Sequence, residues 1–311
     1  MHRAARRAVP ALLLLSVMAA TAAVLEVGPE GAWGEAVASA APGSTVVFAP
    51  GRYTNCSAGG VELVGDIALV SSAGAAATII DCRSSTRHFY SNKNANVSIS
   101  GLTMEGGVAS GGHNSDGGCV LVEGMAAVLT VTDSVLSNCS AAGSGGAIAF
   151  RGRSLTLSRC SLAGNVAVEG GAIYATASSV EVHAVSSAEN HASSGGGFMY
   201  LSGGNASIFS STFLRNTAGI RGGAIVVSGH RSPYPRLSCL LSTIALAPLS
   251  AGSPSLVPRT ATVILSPLPI PSGCFLRKDG AGWQAGRSPC GTPPSPPTPF
   301  PQRAAHRRAW G

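Results

Sequence analysis

The sequence predicts an all-β chain: a right-handed, single-stranded parallel β-helix with a short N-terminal capping helix and a disordered C-terminal tail. Two observations carry the prediction. One phrase returns five times, as Gly117-Gly118-Cys119-Val120, Gly145-Gly146-Ala147-Ile148, Gly170-Gly171-Ala172-Ile173, Gly196-Gly197-Phe198-Met199 and Gly222-Gly223-Ala224-Ile225. Its first glycines lie 28, 25, 26 and 26 residues apart, so the chain is a repeat array. In step with it, Asn138, Asn165, Asn190 and Asn216 each precede the next glycine pair by five to seven residues.

Between the phrases lie short apolar alternations: Leu129 and Val131, Leu155 and Leu157, Val180 and Val182, and Ile208 with Phe213. Each is too short for a helix, and period-two patterning reads as strand. Leucine-rich repeats need a recurring Leu framework and helical repeats need apolar spacings of three and four; neither is present. One repeat per coil, with coils stacked at roughly 4.8 Å, fits the period. The glycine pair then supplies backbone angles or clearance at a tight corner. The Ala and Ile that follow enter a narrow core. Asn tolerates the left-handed region and bonds neighbouring backbone, so it stacks as a ladder at a second corner.

The alternating G-G-A-I and x-x-N phrases resemble the repeats of chlamydial polymorphic outer-membrane proteins and of similar β-helix proteins of the pectin-lyase-like superfold in algae and protists. The resemblance covers about residues 31 to 230. The Phe that precedes Asn in that family is missing from most repeats here.

In chain order, Arg3, Arg6 and Arg7, the apolar run from Val9 to Ala20 and small residues to Ala23 read as a secretory signal peptide, residues 1–23, cleaved near 22 to 25. Trp33, Val37, Ala40 and Ala41 are spaced as a helix, which Pro42-Gly43 stops. A lone helix at about 33–41, ahead of a β-helix, plugs the open end of its first coil. The stretch Thr45 to Tyr53 resembles the opening coil of pectin-lyase-like domains. Val61 to Val64, Ile67 to Val70, Thr78 to Ile80, Val97 to Ile99 and Leu102 to Met104 supply the next strands. The β-helix domain spans residues 24–230.

Past Ser228 the pattern stops. Residues 231–311 hold 15 of the 19 prolines and neither phrase. Proline removes ladder donors, so this part reads as extended or disordered. It is either a proline-rich, wall-associated basic tail or translation past an exon boundary, in which case the chain is a fragment of a larger surface solenoid. No stretch is apolar for long enough to cross a bilayer beyond the signal peptide.

The formal net charge of +7 is concentrated outside the repeats: residues 24–230 carry nine Lys/Arg against 13 Asp/Glu. A mildly acidic body makes nucleic acid an unsuitable partner. Eight cysteines in an exported chain imply disulfides. The favoured pairs are Cys56 with Cys82 and Cys139 with Cys160. No two cysteines have the two-residue spacing of a zinc knuckle, and no metal or cofactor is expected. Asn55, Asn96 and Asn205 are candidate glycosylation sites. Asn138, also in a sequon, is expected to stay unmodified inside the ladder.

Pectin-lyase-like folds often carry polysaccharide lyases and hydrolases. Hydrolases need converging carboxylates, and lyases a cation cluster with a base. Asp81, Asp116, Asp133 and Glu169 are expected at different phases of the coil, and the Asn-Thr-Asp, Asp-Asp, Gly-His-Gly and Arg-Ile-Lys phrases of polygalacturonases are absent. The best local catalytic candidates are His113 and Asp116, in the glycine-rich turn Gly111 to Asp116. The run Ile80-Asp81-Cys82 with Arg87 and Phe89 resembles a stretch of the non-enzymatic relatives, which implies an Asp81–Arg87 structural ion pair. The expectation is therefore a secreted or cell-surface, non-enzymatic β-helix that contacts extracellular polysaccharide or a cell-surface protein. A polysaccharide lyase or hydrolase is the rival.

Overall fold

The computed structural model describes residues 21–111 and 115–228, and beyond them only the strands Arg236–Leu240, Ile264–Leu265, Cys274–Asp279 and Gly282–Arg287. The chain divides into two compact units, Met1–Ser266 and Pro267–Gly311. The first is a parallel β-helix. Of the second, the described residues form one antiparallel ribbon, Cys274–Asp279 against Gly282–Arg287. Residues 1–20 of the expected signal peptide, 1–23, and most of 231–311 lie outside the described residues.

Each regular coil has four walls. The coil that begins at Gly117 shows them in order: Val120–Glu123, Val128–Thr132, Val135–Ser137 and Ser140–Ala141. The pairings to the neighbouring coils are parallel and, apart from a shift between Ala167 and Glu169 on the fourth wall, in register; Leu129, for example, sits between Val97 and Leu155. The third wall is a seven-stranded sheet from Gly51–Tyr53 to Thr212–Leu214, one strand per coil. The fourth wall escapes the sequence pattern. Its inward residues are Ala109, Ala141, Ala167 and Ala192, small enough that no apolar alternation stands out.

The first and second walls fuse where the strands Ile173–His183 and Met199–Phe209 run through both without a break. Ile208 and Phe213, read from sequence as one alternation, are on different walls, separated by a corner at Ser210 and Ser211. Arg236–Leu240 and Ile264–Leu265 continue the pairing onto Met199–Phe209 and Ile225–Ser228.

The main interior is an apolar cluster that runs from Val27 to Val227, and Ala109, Ala141 and Ala167 of the fourth wall form a separate small one. Burying a Val, Leu or Ile side chain contributes about 1.5–3 kcal/mol, and each regular coil buries several. At the start, Val24–Val27 adds a first strand that the sequence reading did not anticipate. The helix Trp33–Ala38, shorter than the expected 33–41, buries Trp33, Gly34 and Val37 and packs against Val61–Glu62, the first strand of its wall. Ala40 and Ala41 lie beyond its end.

The two glycines of each pair have separate tasks. The first, at Gly117, Gly145, Gly170, Gly196 and Gly222, has φ between +51° and +70°, where a Cβ is strained. The second lacks the φ requirement but has no room: a Cβ on Gly118, Gly146, Gly171 or Gly197 would strike the carbonyl oxygen of the matching glycine one coil on.

The asparagine ladder is real but shifted at its start. Asn165, Asn190 and Asn216 are buried. Asn190 Oδ1 accepts from the Asn165 backbone N–H at 3.0 Å and from its Nδ2 at 2.8 Å. Asn216 Oδ1 does the same for Asn190 at 3.1 and 2.8 Å. Asn138 does not belong to this ladder. Cys139 occupies the slot, its N–H donating to Asn165 Oδ1 at 2.9 Å. Asn138 is one residue early, exposed, at φ +53°, where the next coils place Gly164, Glu189 and Arg215. The reason given for excluding it from glycosylation therefore fails.

Cys56 and Cys82 form a disulfide with Cα atoms 5.4 Å apart. Cys139 is bonded to Cys119, not to Cys160. Cys160 sits five residues short of the register partner of Cys139, at the corner between the second and third walls. There Ser134 and Ser211 bond the carbonyls of Thr132 and Phe209, and Cys160 Sγ makes the same contact to the Ser158 carbonyl at 3.3 Å. It is buried, and burial pushes its thiol pKa up.

Candidate ligand-contact face

On the first wall the residue four places after the first glycine of each pair points away from the core. In register along the solenoid these are Glu62, Tyr90, Leu121, Ala149, Tyr174, Tyr200 and Val226. A second outward file two residues on carries Glu123, Arg151, Thr176 and Ser202. Tyr174 and Tyr200 stack with centroids 5.8 Å apart and rings inclined by 20°. The Arg151 guanidinium lies 5.7 Å from the Tyr174 ring centroid.

Leu121 and Ala149 face outward yet are buried. On the same face the Arg151 side chain bonds Asp116 Oδ2, and it also bonds Glu123 Oε1 at 2.7 Å. Burial opposes the charge on Arg151, but Asp116 and Glu123 outweigh it and hold its pKa above the ordinary value. Asp116 Oδ1 accepts the Ser144 N–H, so both carboxylate oxygens are engaged. Arg87 completes the corner, donating from Nε to the Gly117 carbonyl at 2.8 Å and from Nη2 to the Asp116 carbonyl. Its burial lowers its pKa, against the pull of Asp116 and Glu123.

Arg87 and Tyr90 line a surface cleft of about 370 Å³ together with Thr86, Val108, Ser110 and Gly111. The Tyr90 hydroxyl is 3.4 Å from Glu62 Oε2. Burial and this carboxylate raise the pKa of the phenol, so Tyr90 is not a ready base.

Several sequence expectations need correction. Asp81 pairs with Arg52 at 2.7 Å rather than with Arg87, because Asp81 lies on the outer side of the third wall beside Glu105, which Arg52 also holds. Arg87 follows the next turn and belongs to the glycine corner. Asp116 and Glu169 are not at different phases. Each immediately precedes the first glycine of its pair, so they share a column, with Ser144 between them. Asp133 is at another corner, in a two-pronged pair with Arg159. His113 lies outside the described residues.

Among the other sequons, Asn55 and Asn205 are exposed, Asn205 within the strand Met199–Phe209. Asn96 Nδ2 donates to Asp66 Oδ2 at 2.9 Å. The tyrosine file was missed by motif search. Aligning the repeats on their glycine pairs would have exposed it, since Tyr174 and Tyr200 fall in one slot.

No family model matches the chain, and no curated protein matches it. Among solved structures, a PL6-family alginate lyase is similar at 12% identity with a TM-score of 0.38. The match covers 73% of this chain and 40% of that one, so the chain spans well under half of the lyase's length. Among the described residues no helix is long and apolar enough to cross a membrane. The two disulfides fit an oxidising compartment.

Proposed function

We propose that this is an exported, non-enzymatic β-helix whose first wall contacts an extended acidic glycan. The supporting observation is the outward file in which Tyr200 stacks on Tyr174 and Arg151 covers the ring next in line. Tyr174, half-buried and backed by the buried ring of Tyr200, presents the exposed part of its ring and its hydroxyl to a sugar unit. The Arg151 guanidinium, held at the same edge by Asp116 and Glu123, places a positive charge beside the rings for a uronate carboxylate. The coil spacing of roughly 4.8 Å is close to the length of one sugar unit, so successive coils present successive contacts. Against catalysis, both oxygens of Asp116 are engaged, and Glu123 is paired with Arg151.

The rival, a polysaccharide lyase or hydrolase acting through His113 and Asp116, draws on one observation: the cleft lined by Arg87 and Tyr90 reaches Ser110 and Gly111, where that loop begins. One experiment separates them. The protein is titrated with a soluble polyuronate and with a neutral glucan, while unsaturated and reducing-end products are followed. The expected result is binding to the polyuronate without product, weakened about tenfold, or roughly 1.4 kcal/mol, by Tyr174→Ala with Tyr200→Ala. Product that disappears in Asp116→Asn establishes the rival. Absence of binding to either polymer overturns both.

A further inference from the structure

The corner that links the irregular opening coils to the regular ones holds a cluster with no part in glycan contact. His88 occupies the slot that Cys119, Ala147, Ala172 and Phe198 occupy in later coils. Cys119, like His88 and Phe198, therefore stands where Ala147 and Ala172 stand in their coils. Cys139 is the replacement for the Asn of the ladder, as Gly107 is one coil earlier. All three side chains are buried, and His88 Nδ1 or Nε2 and the two Sγ atoms lie within 4.8 Å of one another.

The histidine is oriented for ligation. Its Nε2 is 2.9 Å from the Ile80 carbonyl oxygen, a contact that requires a proton on Nε2. In the neutral ring the lone pair is then on Nδ1. Nδ1 is buried and makes no hydrogen bond of good geometry; the Glu105 carbonyl, which also acts on the ring, is an acceptor and cannot serve a lone pair on Nδ1. It faces the bare Cα of Gly107, where a Cβ would come within 2.7 Å of it. A buried acceptor left unpaired calls for an explanation. A backbone carbonyl on the far ring nitrogen is also the usual support of a metal-bound histidine.

We propose that His88, Cys119 and Cys139 form a redox-gated site for a thiophilic divalent cation of the zinc class, closed as a disulfide in the oxidised protein and open to the cation once that disulfide is reduced. A dithiol supplies the two electrons. The Cys119–Cys139 bond breaks to give two thiols as the dithiol closes to its own disulfide. Cation binding then releases the two thiol protons. Two thiolates neutralise a divalent ion, which suits a site without water access. The Met104 carbonyl oxygen lies 3.8 Å from Cys119 Sγ and 3.9 Å from Cys139 Sγ, beside both sulfurs, as a fourth donor. Cation and disulfide join the same two corners, so the coil is cross-linked in either redox state.

The test uses the full chain, oxidised or reduced with a dithiol and desalted without oxygen, and titrated with Co²⁺. Circular dichroism monitors the fold. Expected is a thiolate-to-cobalt charge-transfer band at one Co²⁺ per chain, in the reduced protein only, displaced by Zn²⁺. Cys119→Ala with Cys139→Asn installs the residues that other coils carry at these slots and should abolish the band with the fold retained. Cys160→Ser should leave it unchanged. His88→Gln should shift the visible bands and weaken affinity at least tenfold. Should a variant unfold, the wild-type readout decides: Zn²⁺ must raise the melting temperature of the reduced chain and leave that of the oxidised chain unchanged. A band that survives in Cys119→Ala/Cys139→Asn, or a folded reduced chain with neither band nor melting shift, overturns the proposal.

Discussion

In the opening coils the interior is closed by rings. Trp33 lies 6.1 Å from Phe48, 6.0 Å from Tyr53 and 6.1 Å from Phe89, and the Tyr53 hydroxyl donates to the carbonyls of Val27 and Ala49. In the coils after Gly117 the walls are mostly aliphatic, and the shape is set by backbone at the glycine corner and by amides at the asparagine corner. Side-chain packing tolerates substitution by neighbours of similar volume. A backbone corner does not, because the atoms it would have to move are themselves in the sheet. The two halves should therefore respond differently to the same change.

The largest effect expected is at Gly171. A Cβ there meets the carbonyl oxygens of Gly197 and His191, both backbone. Gly171→Ala should cost at least about 3 kcal/mol in urea unfolding, because only a displaced coil can relieve the contact. The matched change in the opening half is Gly74→Ala, at φ +84° with nothing within 4 Å of the added carbon. It carries only the left-handed backbone cost of about 1–2 kcal/mol. Equal losses at the two sites would remove the distinction between the halves.

This contrast also explains which parts of the fold were legible. The later coils repeat Gly and Asn because nothing else satisfies those corners, so period, strand phase and core residues could be read directly. Rings close the opening coils in a way that the later described coils do not repeat, and Val24–Val27 carried no signal separate from the leader expected before it. The alanine-lined fourth wall was silent because small residues give no amplitude to an alternation. Of the site, Asp116 was singled out for its carboxylate, but its partner Arg151 lies 35 residues on and appears only when coils are laid in register. Cys139 misled for a related reason: five residues out of phase with Cys160, it shares a corner with Asn165 and a disulfide with Cys119.

A second, smaller effect sharpens the comparison at the junction. Burial pushes the pKa of His88 down to about 4, against the Ile80 and Glu105 carbonyls, which favour the charged ring. The unfolded chain, with an ordinary histidine pKa of about 6.5, binds a proton that the folded chain refuses. Stability is then full above pH 6.5 and falls between pH 6.5 and 4, by about 3 kcal/mol in all. His88→Gln, which can still donate to the Ile80 carbonyl, should flatten the unfolding free energy of the oxidised protein over that window. Asp66 and Asp133, whose carboxylate pKa values are lowered, weaken the fold only below their ordinary range near 3.8. An unchanged pH profile in the variant would mean that His88 takes up a proton in the folded state.

The smallest effect belongs to the exposed ion pairs that stack from coil to coil at the left-handed corners. Asp133 and Arg159 make a two-pronged contact at 2.7 Å, and Glu189 bonds Arg215. Both pairs are in the regular half and look like part of its framework. Solvent screens them, and holding long side chains in one rotamer costs entropy, so Arg159→Ala should change stability least of the substitutions named here. The change should shrink as salt rises from 0.05 to about 1 M. The corner itself is held from inside, where the Ser134 hydroxyl bonds the Thr132 carbonyl at 2.7 Å and receives the Leu102 N–H at 3.3 Å. Ser134→Ala should therefore exceed Arg159→Ala, because it leaves a buried N–H without its acceptor, a loss of about 1–3 kcal/mol that salt does not alter. If Arg159→Ala proved the larger, the regular coils would be held at this corner by surface charge, and the argument that buried backbone contacts set their shape would not extend to it.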